Sequence, residues 1–434
     1  MATILLRKTS RNSRRKVAFA NAKAMVISMK IERGYPAAVI DQRGTKRAQE
    51  GHPWVFDNEI TEQRGATEDG GLCDVLSPKG RYLGTGFFNS RSKIRVRIIS
   101  GNANDDFSPD FFRRRLQYAW DYRKTALGGD VSSCRVIFGE ADRFPGLTVD
   151  KFGDILVTQT LSLGIEQRKD MLFPMLAEIL EADGEKISGI FERNDVKIRE
   201  LEGLSQGKGW FPLKGKVPPD FTRTEIMENG IRYLVDFENG QKTGFFLDQR
   251  YNRRAAARLA AGKTVLDCFT HTGSFGLNCA KAGAKHVHSV DISETALACA
   301  KENARLNGLT DRIDFEAANV FDLLPSLPHG SYDYVILDPP AFTKSGKTVS
   351  DAERGYKEIN FRAMKLLPRG GYLATCSCSH FMTDDRFRKM LQSAACDAKV
   401  ELRLIEARQQ GPDHPVLWNV PETDYLKFYL FQIV

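Results

Sequence analysis

Residues 264–280, TVLDCFTHTGSFGLNCA, constrain most strongly what this chain can fold into. Val265 and Leu266 form an apolar run that ends at Asp267, a turn rich in Thr, Gly and Ser follows, and 275–280 reads as the start of a helix. A strand that feeds a helix through a glycine turn leaves backbone N–H groups unbonded at the helix N-terminus, ready for polar ligand groups. Thr270 and Gly273 lie in that turn. One helix later, His288-Ser289-Val290-Asp291 repeats the apolar-to-acid junction, and a carboxylate there is where a nucleotide ribose is usually held. Only Gly273 and Gly276 fall in the loop, so the pattern is not GxGxxG and needs support from the rest of the chain.

The C-terminal half supplies it. Strands are predicted at 231–237, 264–266, 286–290, 313–316, 332–337, 371–376 and 427–433. Among the helices between them is 294–307, with Ala296, Leu297, Ala300 and Ala304 on one face. Such alternation predicts a doubly wound parallel sheet, whose ligands sit beyond the carboxyl ends of the strands. Asp267, Asp291, Asn319 and Asp338 all stand at or just past predicted strand ends. Any one of them reads equally as a helix N-cap, but four in series are far more specific.

Asp338 opens Asp338-Pro339-Pro340-Ala341-Phe342. Two prolines hold a rigid extended loop and remove two donors, so an acid there can meet the amide-like edge of a planar base, and Phe342 can stack on it. The next strand ends in Thr375-Cys376-Ser377-Cys378-Ser379. Residues two apart share a strand face, so both thiols can look into one pocket. A cysteine at a strand mouth is a candidate nucleophile, and its bland alternative is a small buried apolar residue.

The length of 434 residues predicts two to four domains. No window approaches ~20 uninterrupted apolar residues, so no membrane span is expected. The eight cysteines include no CxxC pair, and Cys376 and Cys378 are too close together for a zinc knuckle. Reduced thiols in a cytoplasm, and no metal, are the expectation. The net charge is +8, but residues 1–30 hold eight of the 63 basic residues and no acid, which leaves 55 basic against 55 acidic in the rest. A neutral body binds nucleic acid only through local patches. Residues 1–28 read as a disordered basic tail or a stretch upstream of a start at Met29, with an RNA-binding arm and a transit peptide as rivals.

Residues 29–103 read as all-β, with turn signals at Gln42-Arg43-Gly44, Asp69-Gly70-Gly71 and Ser77-Pro78-Lys79-Gly80. Arg91, Lys93, Arg95 and Arg97 recur with a period of two, opposite Ile94, Val96 and Ile98. Four cations in line can follow a phosphate backbone or simply form a solvated strand face. His52-Pro53-Trp54-Val55-Phe56 is either a core anchor or a stacking surface. Residues 104–220 open with a helix at 109–127 that carries Arg113, Arg114 and Arg115. Strands follow at 147–149 and 155–161, a helix at 166–182 and a strand-like run at 189–192, and the segment closes in a proline-containing linker at 211–220. No catalytic constellation is visible there.

The series Asp267, Gly273, Asp291, Asn319 and Asp338-Pro339-Pro340 resembles the class I S-adenosylmethionine-dependent methyltransferases. Longer words are similar to those of the bacterial 23S ribosomal RNA cytosine-C5 methyltransferases. They are Lys242-Thr243-Gly244-Phe245-Phe246-Leu247-Asp248-Gln249-Arg250, Asp338-Pro339-Pro340-Ala341-Phe342, Cys376-Ser377-Cys378-Ser379 and Asp413-His414-Pro415-Val416. The segment around Trp54 is similar to that family's PUA domain. The resemblance spans about 29–434. It implies a multidomain α/β protein: a basic tail at 1–28, a PUA-like domain at 29–103, a small central α+β domain and linker at 104–220, and a Rossmann-like methyltransferase domain at 221–434. It implies S-adenosyl-L-methionine as cofactor and 23S ribosomal RNA as partner, with room for a homodimer.

In that reading Cys378 attacks carbon-6 of cytosine, and Asp338 protonates or hydrogen-bonds N3. Cys376 is either the alternative nucleophile or a candidate base for the carbon-5 proton. Asp291 holds the ribose and Asn319 the adenine edge, while Gly273 lets the methionine moiety approach the backbone, with Asp267, Thr270 and Asp338 in the same cofactor pocket. Phe342 and the Arg91, Lys93, Arg95, Arg97 stripe contact the substrate. Two departures stand out: Asn319 replaces the more usual Asp, and Ala341 stands where many RNA cytosine-C5 enzymes carry Cys. An exocyclic-amine RNA methyltransferase and a non-catalytic PUA-type assembly factor are the rival readings.

Overall fold

The computed structural model describes residues 33–343 and 348–434. The basic stretch 1–28 therefore lies outside the described residues.

Six short strands form the N-terminal sheet: β1 (Ala37–Ile40), β2 (Trp54–Phe56), β3 (Ile60–Arg64), β4 (Leu72–Leu76), β5 (Tyr82–Phe88) and β6 (Ile94–Ser100). Their order is β2-β6-β5-β4-β1-β3, and only β1 and β4 run parallel. Ala38, Ile40, Val55, Val75 and Val96 close its small core. The stripe of cations does not form a line. Arg91 and Lys93 precede β6 in an exposed turn. Arg95 bonds back to the Asn89 carbonyl at 3.2 Å. Arg97 is clamped between Glu140 (3.3 Å) and Glu202 (2.9 Å), its positive charge already answered. A period of two marks a strand face but says nothing of the acids that other segments bring to it. Trp54 stands over Arg97 and donates to Glu140 at 2.9 Å, so the aromatic run is an anchor.

The central sheet has the order β11-β10-β9-β8-β7. It comprises β7 (Ser133–Phe138), β8 (Leu147–Phe152), β9 (Ile155–Thr160), β10 (Gly189–Arg193) and β11 (Lys208–Phe211). Helices Pro109–Ala126 and Lys169–Ala182 cover it through Leu116, Trp120, Leu172 and Leu176. Ser108 caps the first helix.

Residues 231–236 depart from expectation. They form β13 of an isolated hairpin with β12 (Arg223–Glu228), not a strand of the parallel sheet. Ile231, Tyr233 and Val235 are buried and alternate with less buried residues, the pattern of a one-faced antiparallel strand rather than of a strand buried on both sides. The buried face joins Phe152 and Phe191 of the central unit to Val265 and Leu277 beyond it, so the hairpin acts as a splint.

The C-terminal sheet has seven strands, β14 (Thr264–Cys268), β15 (His286–Asp291), β16 (Ile313–Ala317), β17 (Tyr334–Leu337), β18 (Tyr372–Ser377), β19 (Leu402–Arg408) and β20 (Lys427–Ile433). Their order is β16-β15-β14-β17-β18-β20-β19. Five strands are parallel, as predicted, but β20 inserts antiparallel between β18 and β19, so the sheet is mixed. Val265 and Ile336 enter one core while Leu266, Val335 and Leu337 enter the other, which is double-sided burial. β19 escapes sequence reading because it is an edge strand whose mixed charged and apolar side chains are largely exposed, Leu404 and Ile405 among them. Among the described residues no helix is long and apolar enough to cross a membrane.

Candidate active site

The carboxyl ends of β14 to β18 open on one side of the sheet. Asp267 is the penultimate residue of β14, fully enclosed. Its Oδ2 accepts from Thr270 Oγ1 (2.5 Å) and from the Gly276 amide (2.8 Å), while Oδ1 has no partner. Burial, with Asp338 and Asp291 nearby, pushes its pKa up to about 7. Thr270 is thus a brace for the acid rather than a free hydroxyl.

Gly273 is the N-cap of helix Ser274–Lys281 at φ +83°, and a Cβ there would meet Ala300 at 3.1 Å. Phe269 and His271 also adopt positive φ, so three of the seven residues at 267–273 are left-handed. Strain of this kind gathers where a loop must present its amides to a ligand. Asp291 ends β15 and accepts from the amides of His271 (2.8 Å) and Ser293 (2.9 Å). Asn319 caps helix Val320–Ser326 through the Phe321 amide (3.1 Å), and its amide group donates to Asp322 (2.8 Å).

Leu337 pairs with Thr375, so Asp338 and Cys376 fall side by side one step further along. Asp338 is partly open to solvent, and its Oδ1 accepts from Gln249 Nε2 at 2.9 Å. Burial and the charge of Asp248 drive its pKa up to about 7, against the pull of Arg253 and of hydrogen bonds from Cys376 and Gln249. The two thiols differ. Cys376 is wholly buried and hydrogen-bonds Asp338. Cys378 lies just past β18, is partly exposed, and has its sulfur 3.9 Å from the Pro339 carbonyl. Burial and Asp338 raise its pKa to about 11, while Lys242 and Lys427 draw it down.

Phe342 does not stand free: its ring meets Tyr356 at 4.6 Å and Phe321 at 5.8 Å. The Tyr356 hydroxyl shares a hydrogen bond with Ser379 Oγ at 3.0 Å, so this cluster stiffens the wall behind Cys378.

Three contributors had no signal in the sequence. Lys427 faces the thiol because β20 pairs it with Ser377. Its ammonium donates to the carbonyls of Ser379 and Tyr425, both at 2.8 Å, and burial presses its pKa down to about 8. Tyr425 donates to Asp248 at 2.5 Å. Glu228, from the hairpin, takes Arg253 in a two-pronged buried pair at 2.7 and 2.9 Å, and Arg253 also reaches Ser274 Oγ at the head of the helix.

The nine-residue word at 242–250 is a hinge pin as much as a pocket wall. Thr243 donates to Asp150 of β8 at 2.5 Å, Arg250 reaches the Ser133 carbonyl, and Gln249 alone of its last residues bonds Asp338. No Asp248–Arg250 pair forms; Asp248 turns to Tyr425 and Arg250 to Glu228. Asp413 and His414 are buried and paired at 3.1 Å, and Asp413 also accepts from the Arg135 amide at 3.0 Å.

Taken as chemistry, the cleft gathers Asp267, Asp291, Asp338 and Asp248, with two orphaned carboxylate oxygens, Oδ1 of Asp267 and Oδ1 of Asp248. A concentration of acids around a strained amide-rich turn fits a cofactor that carries an ammonium, a sulfonium and a ribose diol.

Comparison with known proteins agrees. The family model for S-adenosylmethionine-dependent methyltransferases matches residues 217–432, and that for PUA-like domains matches 39–101. A ribosomal RNA large subunit methyltransferase I of Shewanella denitrificans is 42% identical over 381 residues, 87% of this chain and 94% of its own. The protein of the same name in Klebsiella pneumoniae is 36% identical over 404 residues, 92% of this chain and 99% of its own. Among solved structures, a Streptococcus mutans protein assigned to the SAM-dependent methyltransferases shares the fold. Its TM-score is 0.75 at 23% identity, over 91% of this chain and 99% of that one. The fold and site therefore define an S-adenosylmethionine-dependent methyltransferase with a PUA-like domain. Within that class, the chain belongs to the ribosomal RNA large subunit methyltransferase I family, and S-adenosylmethionine is its cofactor.

Proposed function

We propose that this protein methylates carbon-5 of a cytidine in large-subunit ribosomal RNA through a covalent cysteine adduct, in the cytoplasm where that RNA is found. The observation that carries the reading is the accessible Cys378 thiol set beside the Asp338 carboxyl at the mouths of two adjacent parallel strands. Bound S-adenosylmethionine supplies the electrophilic methyl group. Asp291 takes the ribose hydroxyls, Asn319 the adenine edge and the Gly273 backbone the methionine moiety. Asp267, held by Thr270, supplies negative charge to the cationic end.

Carbon-5 of cytosine is a weak nucleophile, and a thiolate at carbon-6 turns the ring into an enamine that can attack through carbon-5. Accessibility favours Cys378 over the enclosed Cys376 for that addition. With a pKa of about 11 the free thiol must give up its proton as it attacks. Asp338, titrating near 7, takes that proton and presents it to N3 as charge develops there. Lys427 and Lys242 steady the thiolate by Coulomb attraction.

The test is RNA carrying 5-fluorocytidine at the methylated site. The expected result is a denaturation-stable protein–RNA adduct that forms with the natural chain and not with Cys378→Ala. Methyl transfer with no adduct would move the protein to exocyclic-amine chemistry.

A further inference from the structure

The Arg-rich helix Pro109–Ala126 takes no part in the cleft, yet it carries the most open aromatic surface of the central unit. Tyr118 is 64% exposed and Tyr122 41%. Four residues apart, the two rings share one face of the helix. With Arg115, Arg143 and Pro415 they line a cavity of about 240 Å³.

The Tyr122 ring is firmly mounted. Arg123 lies 5.2 Å from the Tyr122 ring centroid and is itself locked to Asp142 at 2.5 and 2.7 Å, and the Tyr122 hydroxyl donates to the Pro412 carbonyl at 3.0 Å. The charge is left open. Asp142, the acid beside the cavity, is consumed by Arg123. Arg115 reaches a carboxylate only at 4.0 Å, in Asp105, and Arg143 has none within ion-pair distance among the described residues. Burial and the charge of Arg115 both press the Arg143 pKa down.

The cavity is also coupled to the cleft. Asp413 and His414 lie between Pro412 and Pro415, and the Gly411 amide donates to the Asp248 carbonyl at 2.8 Å, next to the glutamine that holds Asp338. Beyond Pro415 the same loop displays Trp418, 95% exposed, and bonds the N-terminal unit through Asn419 to the Glu50 carbonyl at 3.0 Å.

We propose that this pocket docks single-stranded RNA flanking the target nucleotide, with bases on Tyr118 and Tyr122 and phosphates on Arg115 and Arg143. Aromatic faces interleaved with one guanidinium that lacks a carboxylate partner, Arg143, and a second only loosely paired, Arg115, are the chemistry of a base-and-phosphate ligand. The inference rests on the RNA substrate read above but on none of the covalent chemistry. It also relocates the substrate contacts from the β6 stripe, where Arg97 is already neutralised, to this helix.

The test is fluorescence anisotropy of the full chain with a labelled single-stranded fragment of large-subunit ribosomal RNA, titrated with salt. Tyr118→Ala is expected to weaken binding about tenfold, and Tyr118→Phe, which keeps the ring, to restore it. Arg143→Gln should reduce the slope of log affinity against log salt by roughly 0.7, one phosphate contact on a single strand. Affinity for S-adenosylmethionine, measured by calorimetry, should not move. If Tyr118→Ala and Arg143→Gln both bind RNA as the natural chain does, the docking site is wrong while the proposed reaction stands. If the natural chain binds no ribosomal RNA, both fall. A missing 5-fluorocytidine adduct with these binding losses intact would remove the covalent mechanism alone.

Discussion

Two strand mouths of one sheet, β14 and β17, each carry a carboxyl group pushed up to about 7, yet their surroundings differ. Asp267 is sealed in, with one oxygen braced by Thr270 and Gly276 and the other without a partner. It cannot meet bulk solvent, and burial is the main cause of its raised pKa, with Asp338 and Asp291 adding to it. Asp338 opens toward the cleft, steadied by Gln249 and flanked by thiols. Its raised pKa expresses a proton that can move. Under the proposed reaction the same displacement means cofactor attraction at one strand end and acid–base chemistry at the next, with enclosure deciding which.

The largest effect that would break this comparison is at the sulfur. Cys378→Ala should abolish both methyl transfer to RNA and the 5-fluorocytidine adduct, whereas Cys376→Ala should keep the adduct; the opposite outcome would reassign the nucleophile. Next, Asp338→Asn should lower the transfer rate by about 10²–10⁴, the usual worth of a placed acid–base group, with little change in cofactor affinity. The natural enzyme's kcat/KM should rise with pH through about 7 as Asp338 ionises to accept the thiol proton, and that limb should vanish in the variant.

Asp267→Asn should behave in the reverse way. Cofactor affinity measured by calorimetry should fall about 10- to 100-fold, the scale of one charge-assisted contact, and the pH profile should keep its limb. The same variant sharpens the contrast in stability. A carboxyl whose pKa is raised on folding contributes stability below its unfolded value near 4, and this is lost as pH rises through about 7. Denaturant melts of the cofactor-free protein should therefore weaken across that window by roughly 4 kcal/mol at most, and Asp267→Asn should flatten the trend. Smallest of all, Gln249→Leu removes one donor to Asp338 and should move the kinetic limb upward by less than about one pH unit.

How legible was all this? The parallel strands were, because short apolar stretches meet an acid at or near the strand end: Leu266 before Asp267, Val290 before Asp291, Leu337 before Asp338. The cysteines were legible as a pair but not as individuals, since period two places both on one face and only the end of β18 separates the enclosed Cys376 from the open Cys378. Lys427 and Glu228 were invisible. Each reaches the site from a distant segment, one through antiparallel insertion of β20 and the other through the hairpin. The β6 cations show the converse, as Glu140 and Glu202 arrive from the central unit to pair with Arg97 while Arg91 and Lys93 stay exposed.

Local patterning by itself determined the two-faced sheet, the strand ends and the residue types gathered there, because burial on both sides demands uninterrupted apolar runs and turns demand small or polar residues. Which thiol is open, which arginine keeps a free charge and which carboxyl can exchange its proton were settled only in three dimensions. Solvent access and counter-charge depend on neighbours brought in from other segments of the chain, such as Gln249 to Asp338 and Glu202 to Arg97.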